Sequence, residues 1–420
     1  MQSEAPAGWQ WTRIGSHFKR ITRKNTAGIE RVLTASGEHG LIDQEEYFNK
    51  RVAAKNVDGY FHLKRGEFAY NRSSMNGYPF GATKRLDRYD DGVLSTLYLC
   101  FGLRPKAAIL SDYAAQLFDS RVLDAELLPI VRVGARAHGL LNVTPSDFME
   151  VQFLLPPLAE QKKIAAILSS VDEAIQATEA VIEQTRRVKD GLLQDLLTRG
   201  IGHTRFKHPQ KWVIGRLPEI EEIPESWRVV PIRTVAQLET GHTPSRGNDE
   251  YWNGDVQWLS LHDTKRMATH YVSETALTIT AEGIANSSAR LLPEGTVALS
   301  RTATVGKCVI LGTEMATSQD FACYICGDRL HNKYLLHLFR YMQHVWTALG
   351  GGSTHQTVYM PAFKKLQILL PPKAEQIRIA EIMDAHDAET STLLSQVKQL
   401  RQIKAGLLQD LLTGVVRVSP

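Results

Sequence analysis

The sequence predicts an α+β fold: two β-rich mixed α/β domains, each followed by a long helix, with the two helices pairing as an antiparallel coiled coil of pseudo-two-fold symmetry. Three observations predict it. The chain contains an internal repeat at a constant spacing. Each copy of the repeat carries a seam of mainly apolar residues at alternating spacings of 4 and 3. The blocks preceding the copies hold many short β-branched runs and few long helical patterns.

The repeat comes first. Leu154-Leu155-Pro156-Pro157-Leu158-Ala159-Glu160-Gln161 returns 215 positions later as Leu369-Leu370-Pro371-Pro372-Lys373-Ala374-Glu375-Gln376. Gly191-Leu192-Leu193-Gln194-Asp195-Leu196-Leu197-Thr198 returns unchanged as Gly406-Leu407-Leu408-Gln409-Asp410-Leu411-Leu412-Thr413, again 215 positions later. Of the 45 positions from Leu154 to Thr198, 22 are identical between copies, so the repeats run in register without a gap.

Each copy reads as one helix. The paired prolines cannot lie inside a helix but suit its start. Glu160 and Glu375 then fall in the first turn, where a carboxylate meets the positive end of the dipole. The seam runs through Ile164, Leu168, Val171, Ile175, Thr178, Ile182, Thr185, Lys189, Leu192 and Leu196, and through the equivalent positions from Ile379 to Leu411. Gly200 and Gly414 suit the stops. Each helix should cover about 38 residues, or roughly 57 Å. Lys189 and Lys404 stand at equivalent seam positions, and two readings are open. Their stems pack while the ammonium groups reach water, or they fix the pairing register as polar seam residues do.

A seam of this length needs a partner, and the other copy supplies one. The intervening block of roughly 170 residues is long enough for the chain to return antiparallel. Antiparallel helices of one sequence are related by a two-fold axis, and so then are the blocks before them. DNA has local two-fold axes, so dyad-related readers can each dock on one half-site.

The variable blocks are residues 1–153 and about 216–368. Their ends match: Trp11-Thr12-Arg13-Ile14 parallels Trp227-Arg228-Val229-Val230, while Phe148 and Gln152 match Phe363 and Gln367. Their middles share a pattern, a turn glycine (Gly66, Gly295) followed by an alternating strand that ends at Arg72 or Arg301. Residues 203–226, with Pro209, Pro218 and Pro224, read as a linker.

Composition narrows the function classes. No run of about 18 apolar residues exists, so no membrane span is expected. The first residues lack the basic and apolar regions of a signal peptide. Cys100, Cys308, Cys323 and Cys326 are too few and scattered for a disulfide framework, so a cytoplasmic protein with free thiols is expected. The net charge is +4, with 20 basic and 17 acidic residues in 1–153 and 17 against 15 in 203–368. That excess is compatible with nucleic-acid binding without establishing it. There is no phosphate-binding Gly-x-x-x-x-Gly-Lys-Ser/Thr loop and no Asn/Asp-Pro-Pro-aromatic motif. Cys323-x-x-Cys326 reads as burial in a strand, with zinc or redox roles as the alternatives. Gly350-Gly351-Gly352 reads either as a phosphate approach or as a surface loop.

A globular block followed by a Pro-Pro-x-x-Glu-Gln helix ending in Gly-Leu-Leu-Gln-Asp-Leu-Leu-Thr, all repeated once, resembles the specificity subunit of Type I restriction-modification enzymes. Gly241-His242-Thr243-Pro244-Ser245, then Tyr251-Trp252-Asn253-Gly254-Asp255-Val256-Gln257-Trp258-Leu259, resembles the opening of a target-recognition domain of that family. The first block lacks these signatures. The resemblance covers essentially the whole chain. It implies a non-catalytic, DNA-binding subunit in which each recognition domain reads one half of a bipartite site and the paired helices set the gap. It implies double-stranded DNA, two methyltransferase subunits and two restriction/translocase subunits as partners, and no cofactor on this chain. The expected division is recognition domain 1 at 1–153, central helical spacer 154–202, linker 203–226, recognition domain 2 at 227–368, distal spacer 369–414 and tail 415–420. A helical-repeat scaffold and a stand-alone nuclease are the competing classes, and the missing catalytic motifs count against the nuclease.

Candidate DNA contacts in the first block are Lys19, Arg20, Arg23 and Lys24 of its basic stretch, and Arg72. In the second block they are Ser245, Arg246, Lys265, Arg266, Arg301, Ser353, Thr354, His355 and Gln356. Arginine and glutamine suit guanine and adenine edges, and the basic stretch suits phosphates. A solvated surface is the alternative for each. Trp227, Trp252 and Trp258 are expected in the core rather than as stacking platforms.

Overall fold

The computed structural model describes residues 4–419 apart from 38, 51, 55, 75–76, 132–140, 210–211, 218–219 and 351–356. The chain forms two compact units, Met1–Ala180 with Leu394–Pro420, and Val181–Leu393. The two long helices, Leu158–Thr198 and Lys373–Thr413, are 41 residues each and start directly after their proline pairs. They exceed the expected length by about one turn. Each begins in one unit and ends in the other.

Both units contain an antiparallel helix pair. In the first, Ile164, Ala165 and Leu168 share an apolar core with Leu411 and Leu412, and Glu179 meets Arg401. Numbers rise on one helix as they fall on the other. In the second unit, Leu196 and Leu197 share a core with Ile379 and Met383. Polar seam residues need no partner helix where Thr178 donates its hydroxyl to the Ala174 carbonyl and Thr390 to that of His386, four residues back.

The globular parts, so different in sequence, contain the same sheet. In the first unit the strands lie in the order Phe18–Ile21, Leu99–Leu103, Phe68–Asn71, Ala82–Arg85, all antiparallel. In the second the order is Ala236–Thr240, Phe321–Cys326, Val297–Ser300, Cys308–Leu311, again antiparallel, with Tyr271–Val272 added in parallel at the edge. In chain order both run first, fourth, second, third. Gly66 and Gly295 precede the matching strands at φ +83° and +85°, a conformation glycine adopts without strain. The strands Phe68–Asn71 and Val297–Ser300 stop just before Arg72 and Arg301, as expected. Their burial does not alternate. Phe68, Ala69 and Tyr70 are all buried, as is all of Val297–Ser300, because each strand is central in its sheet and covered on both faces. In the first unit Phe18, Phe68, Phe101 and Phe118 pack with ring centroids 5.3–5.6 Å apart, each pair adding about 1 kcal/mol beyond area burial.

A two-stranded clasp closes each globular part at its junction with the helix. Gln10–Arg13 pairs with Gln152–Leu155, and Arg228–Pro231 with Gln367–Leu370. Phe148 and Phe363, each on a short helix with proline in its first turn, are buried beside these clasps. The stretch expected as a linker is built into the second unit. Phe206–Lys207 pairs with Ile223–Pro224, and Trp212, Leu217, Ile220 and Ile223 lie in the main core. Its apolar residues have too much to bury for the prolines to make it a free tether.

Candidate nucleic-acid interface

The repeated Pro-Pro-x-x-Glu-Gln motif builds the junctions. Gln161 is fully buried. Its carbonyl accepts the Leu110 N–H at 2.8 Å, and its amide donates to the carbonyls of Ala108 and Pro156, each at 2.9 Å. Gln376 repeats this on His331 N–H, Arg329 and Pro371. Each glutamine therefore ties the first turn of its long helix to the segment entering a domain helix, Ser111–Asp119 or Asn332–Tyr341. The glutamates act alongside. Trp9 donates its indole N–H to Glu160 at 3.2 Å, and Trp227 to Glu375 at 3.0 Å. Arg417 caps Glu160 at 2.6 Å, and His203 sits 2.7 Å from Glu375. The Arg417 guanidinium, with help from the Trp9 N–H, holds the Glu160 carboxyl below its usual range despite burial.

This geometry corrects the pairing of Trp11 with Trp227. The residue that does what Trp227 does is Trp9. Trp11 lies on the clasp strand opposite Leu154, where the second unit places Val229 opposite Leu369. The 215 spacing of the helices becomes 218 at this end, because the variable blocks differ in length.

The seam lysines do more than reach water. Lys404 Nζ lies 2.7 Å from Asp172 and 3.1 Å from Asp119. Lys189 pairs with Asp387. Asp172 and Asp387 are themselves one repeated position, so each copy supplies the lysine for the other copy's aspartate. Of the two readings of these lysines, ion pairing in register is the one the structure carries. Burial pushes the Asp119 carboxyl up, but Lys84 and Lys404 outweigh it and hold the group below its usual value.

The recognition loop of the second unit is held by tryptophans. Gly241 has no room for a side chain, since a Cβ would lie 1.8 Å from the Thr317 carbonyl oxygen. Trp258 donates its indole N–H to the His242 carbonyl and Trp252 to that of Ser245, both at 3.0 Å, and the two rings pack edge to face at 5.1 Å. Thr243 donates to Gln319 at 2.6 Å. The Gly-x-Thr-Pro-Ser and Trp signatures are thus one scaffold, and what it presents outward is His242, Ser245 and Arg246, all exposed. Beside it lies an open groove of about 750 Å³ whose lining includes Arg233, His242, Arg290, Arg301, Gln319 and Lys364. Arg290 is paired with Glu239 there. Sequence reasoning found Arg301 but missed Arg233, His242, Arg290, Gln319 and Lys364, which stand up to more than 100 positions apart and share no local pattern. Only the place of His242 inside the Gly-x-Thr-Pro-Ser signature marked it.

The other candidates are dispersed. Lys19 and Arg20 are exposed on the strand Phe18–Ile21. Arg23 is paired with Glu67 at 2.7 Å, and Lys24 donates to the Gly59 carbonyl and lies over the Phe61 ring. Arg72 donates to the carbonyls of Leu97, Thr96 and Val143, and Arg301 to that of Gln319, so both guanidinium groups hold their own fold. Lys265 is exposed, and Arg266 donates to the Glu274 carbonyl. Arg246 stands over the Trp252 ring at 5.9 Å. Ser353, Thr354, His355 and Gln356, with Gly351 and Gly352, lie outside the described residues. Trp227 and Trp258 are core residues as expected, and Trp252 is half-buried. Cys323 is buried in the strand Phe321–Cys326, where burial pushes its thiol up to about 12. Among the described residues no helix is long and apolar enough to cross a membrane.

Comparison with known proteins agrees with this architecture. Residues 89–185 and 224–404 match the family model of the Type I restriction modification DNA specificity domain. The Type I restriction enzyme MjaVIII specificity subunit of Methanocaldococcus jannaschii is 25% identical over 428 residues, covering 98% of this chain and 94% of that subunit. The MjaIX specificity subunit of the same organism is 29% identical over 194 residues, which span 46% of this chain and 45% of that protein. Among solved structures, a chain from work on complex assembly and conformational transition of the type I R-M system shares the fold, with a TM-score of 0.61 at 16% identity, over 99% of this chain and 100% of that one. The S subunit from M. genitalium also shares it, with a TM-score of 0.55 at 10% identity over 98% of each. Two matched regions, each running from a globular block into its copy of the duplicated helix, leave one assignment: the chain belongs to the Type I restriction-modification DNA specificity family.

Proposed function

We propose that this chain is the non-catalytic, sequence-reading subunit of a Type I restriction-modification complex, with residues 1–153 and 227–368 as its two target-recognition domains. Each domain reads one half of a bipartite site on double-stranded DNA. The paired helices set the gap and dock two methyltransferase subunits, and two restriction/translocase subunits complete the assembly. The observation that carries this reading is the reciprocal pairing of repeated positions, Lys404 with Asp172 and Lys189 with Asp387. A chain whose two halves complement each other in this way suits the local two-fold symmetry of DNA. The exposed loop at His242–Arg246 and the basic groove beside it support a DNA-facing surface in the second half.

Exchange of one half tests the proposal. Residues 216–368 are replaced by the corresponding block of a relative, and methylation is mapped across the host genome. One half-site changes and the other stays. A change in both half-sites overturns the modular reading.

A further inference from the structure

The two helix–domain junctions are built alike, but one carries a set of donors the other lacks. In the first unit, Gln116 donates to Asp172 at 2.9 Å. The position of Gln116, six residues after the backbone N–H taken by Gln161, is held in the second unit by His337, six residues after the N–H taken by Gln376. Ser169 of the first helix corresponds to Asp384 of the second. A second histidine, His270, enters from the segment before the edge strand Tyr271–Val272.

These side chains converge. One donor atom from each of His270, His337 and Asp387 lies within 4.8 Å of the others. His270 places Nε2 at 2.8 Å from Asp387 Oδ2 and Nδ1 at 3.3 Å from Asp384 Oδ1. His337 places Nε2 at 2.8 Å from Asp384 Oδ1. Each aspartate turns its other oxygen to a lysine: Asp384 Oδ2 lies 2.6 Å from Lys333, and Asp387 Oδ1 pairs with Lys189. One carboxylate oxygen per aspartate is thereby left facing the two imidazoles.

We infer that this junction binds one zinc ion through His270, His337 and Asp387, with Asp384 orienting His270. Both nitrogens of His270 face carboxylate oxygens, and a neutral imidazole has one N–H for the two, so the second contact calls for a further proton or a metal ion. A metal between His270 and Asp387 meets that requirement and leaves His270 free to donate its remaining N–H to Asp384, the carboxylate–histidine–metal arrangement that orients such ligands. Two imidazoles and a carboxylate suit zinc, whose bonds to them are about 2.0–2.2 Å and whose tetrahedral ligands stand roughly 3.4 Å apart, so the wider separations close and the His270–Asp387 contact opens slightly. The lysines remain on the outer oxygens and balance the two carboxylates. His270 and Asp387 are about one-fifth exposed, at 19% and 22%, which gives an ion a way in. The bound ion ties two points of the globular block to the second helix, beside the Lys189 pairing.

The test uses the full-length chain, stripped with chelator and then equilibrated with zinc sulfate alone. One zinc per chain is expected, because among the described residues the position of His337 is held by Gln116 in the first unit and that of Asp384 by Ser169. His270→Gln and Asp387→Asn each weaken zinc binding at least about ten-fold, while His62→Gln, which removes an ordinary histidine from a pair with Asp91 in the first unit, leaves it unchanged. Cobalt loaded into the unaltered chain reads the ligands without any substitution, with visible d–d bands and no thiolate charge-transfer band in the near ultraviolet. Failure to bind zinc at micromolar free concentrations, undiminished binding in both His270→Gln and Asp387→Asn, or a thiolate band pointing to the cysteines each overturns the inference.

Discussion

Lys404 reaches Asp172 across the helix pair at 2.7 Å, and the two residues that repeat them 215 positions away exchange roles, Lys189 pairing with Asp387. One sequence motif, used twice, thus supplies both ends of both ion pairs. Because each pair joins antiparallel segments within its own unit, a slip of one segment along the other breaks that unit's pair.

Removing one partner should cost stability. Lys404→Met keeps the stem but removes the cation shared by Asp172 and Asp119, leaving Asp172 with the Gln116 amide and Asp119 with Lys84 and Tyr78; both carboxylates are about 30% exposed. The expected loss is about 2 kcal/mol, below the cost of breaking a fully buried pair because water still reaches these groups. Urea unfolding measures it, and a loss under about 0.5 kcal/mol counts against a register role.

The two buried glutamines should be equivalent. Gln161→Ala orphans the Leu110 N–H and two carbonyls, and Gln376→Ala orphans the His331 N–H and two more. Each variant is expected to lose about 3 kcal/mol. A large difference between them in thermal or urea unfolding would mean that the shared motif does unequal work.

Acid should weaken the first unit through Asp119. Its folded value lies below the ordinary 3.8, so its contribution to stability is full above that value and is lost as pH falls through the folded value. The window is therefore below about pH 4. Asp119→Asn should be less stable than the unaltered chain at pH 6, and the gap should narrow toward pH 3. Melting temperatures across that range check the sign.

Within the proposed DNA surface, two substitutions should separate reading from holding. Arg246→Ala is expected to weaken binding by about 1–3 kcal/mol and relax the second half-site. Lys364→Ala, on the groove wall, should weaken binding to all sequences alike and reduce the slope against log salt by about 1. Titrations at several salt concentrations on matched and mismatched sites distinguish the two.

Four residues inserted after Glu179 lengthen the first helix by about 6 Å and rotate its distal part by only about 40°. The expected product is a functional or weakened complex whose half-sites are unchanged and whose gap is longer by one or two base pairs. An active variant with an unaltered gap, read from methylation mapping, would falsify the ruler and leave the helices as docking surfaces. Two inserted residues should do more damage, because they turn the seam by about 200° and expose it.

The sequence by itself determined the duplicated helices, their bounds to within a turn, and their antiparallel pairing. A 4–3 seam and a constant 215 spacing are local, periodic signals, and an apolar stripe has to be covered. It also marked Gly66 and Gly295, because a turn glycine before a strand is a local pattern too. The common sheet order of the two blocks was not legible, since strand order depends on pairings between residues far apart, and the two cores meet the same topology with different side chains. Trp9 was missed in favour of Trp11 because the indole's partner, Glu160, is 151 positions away. The linker reading of residues 203–226 followed its prolines, while tertiary packing of Trp212, Leu217, Ile220 and Ile223 decided otherwise. The groove of Arg233, Arg290, Arg301 and Lys364 and the meeting of His270, His337 and Asp387 belong to tertiary structure alone. Charge and imidazole act through space at a few ångströms, and no spacing along the chain records which of them the fold brings that close.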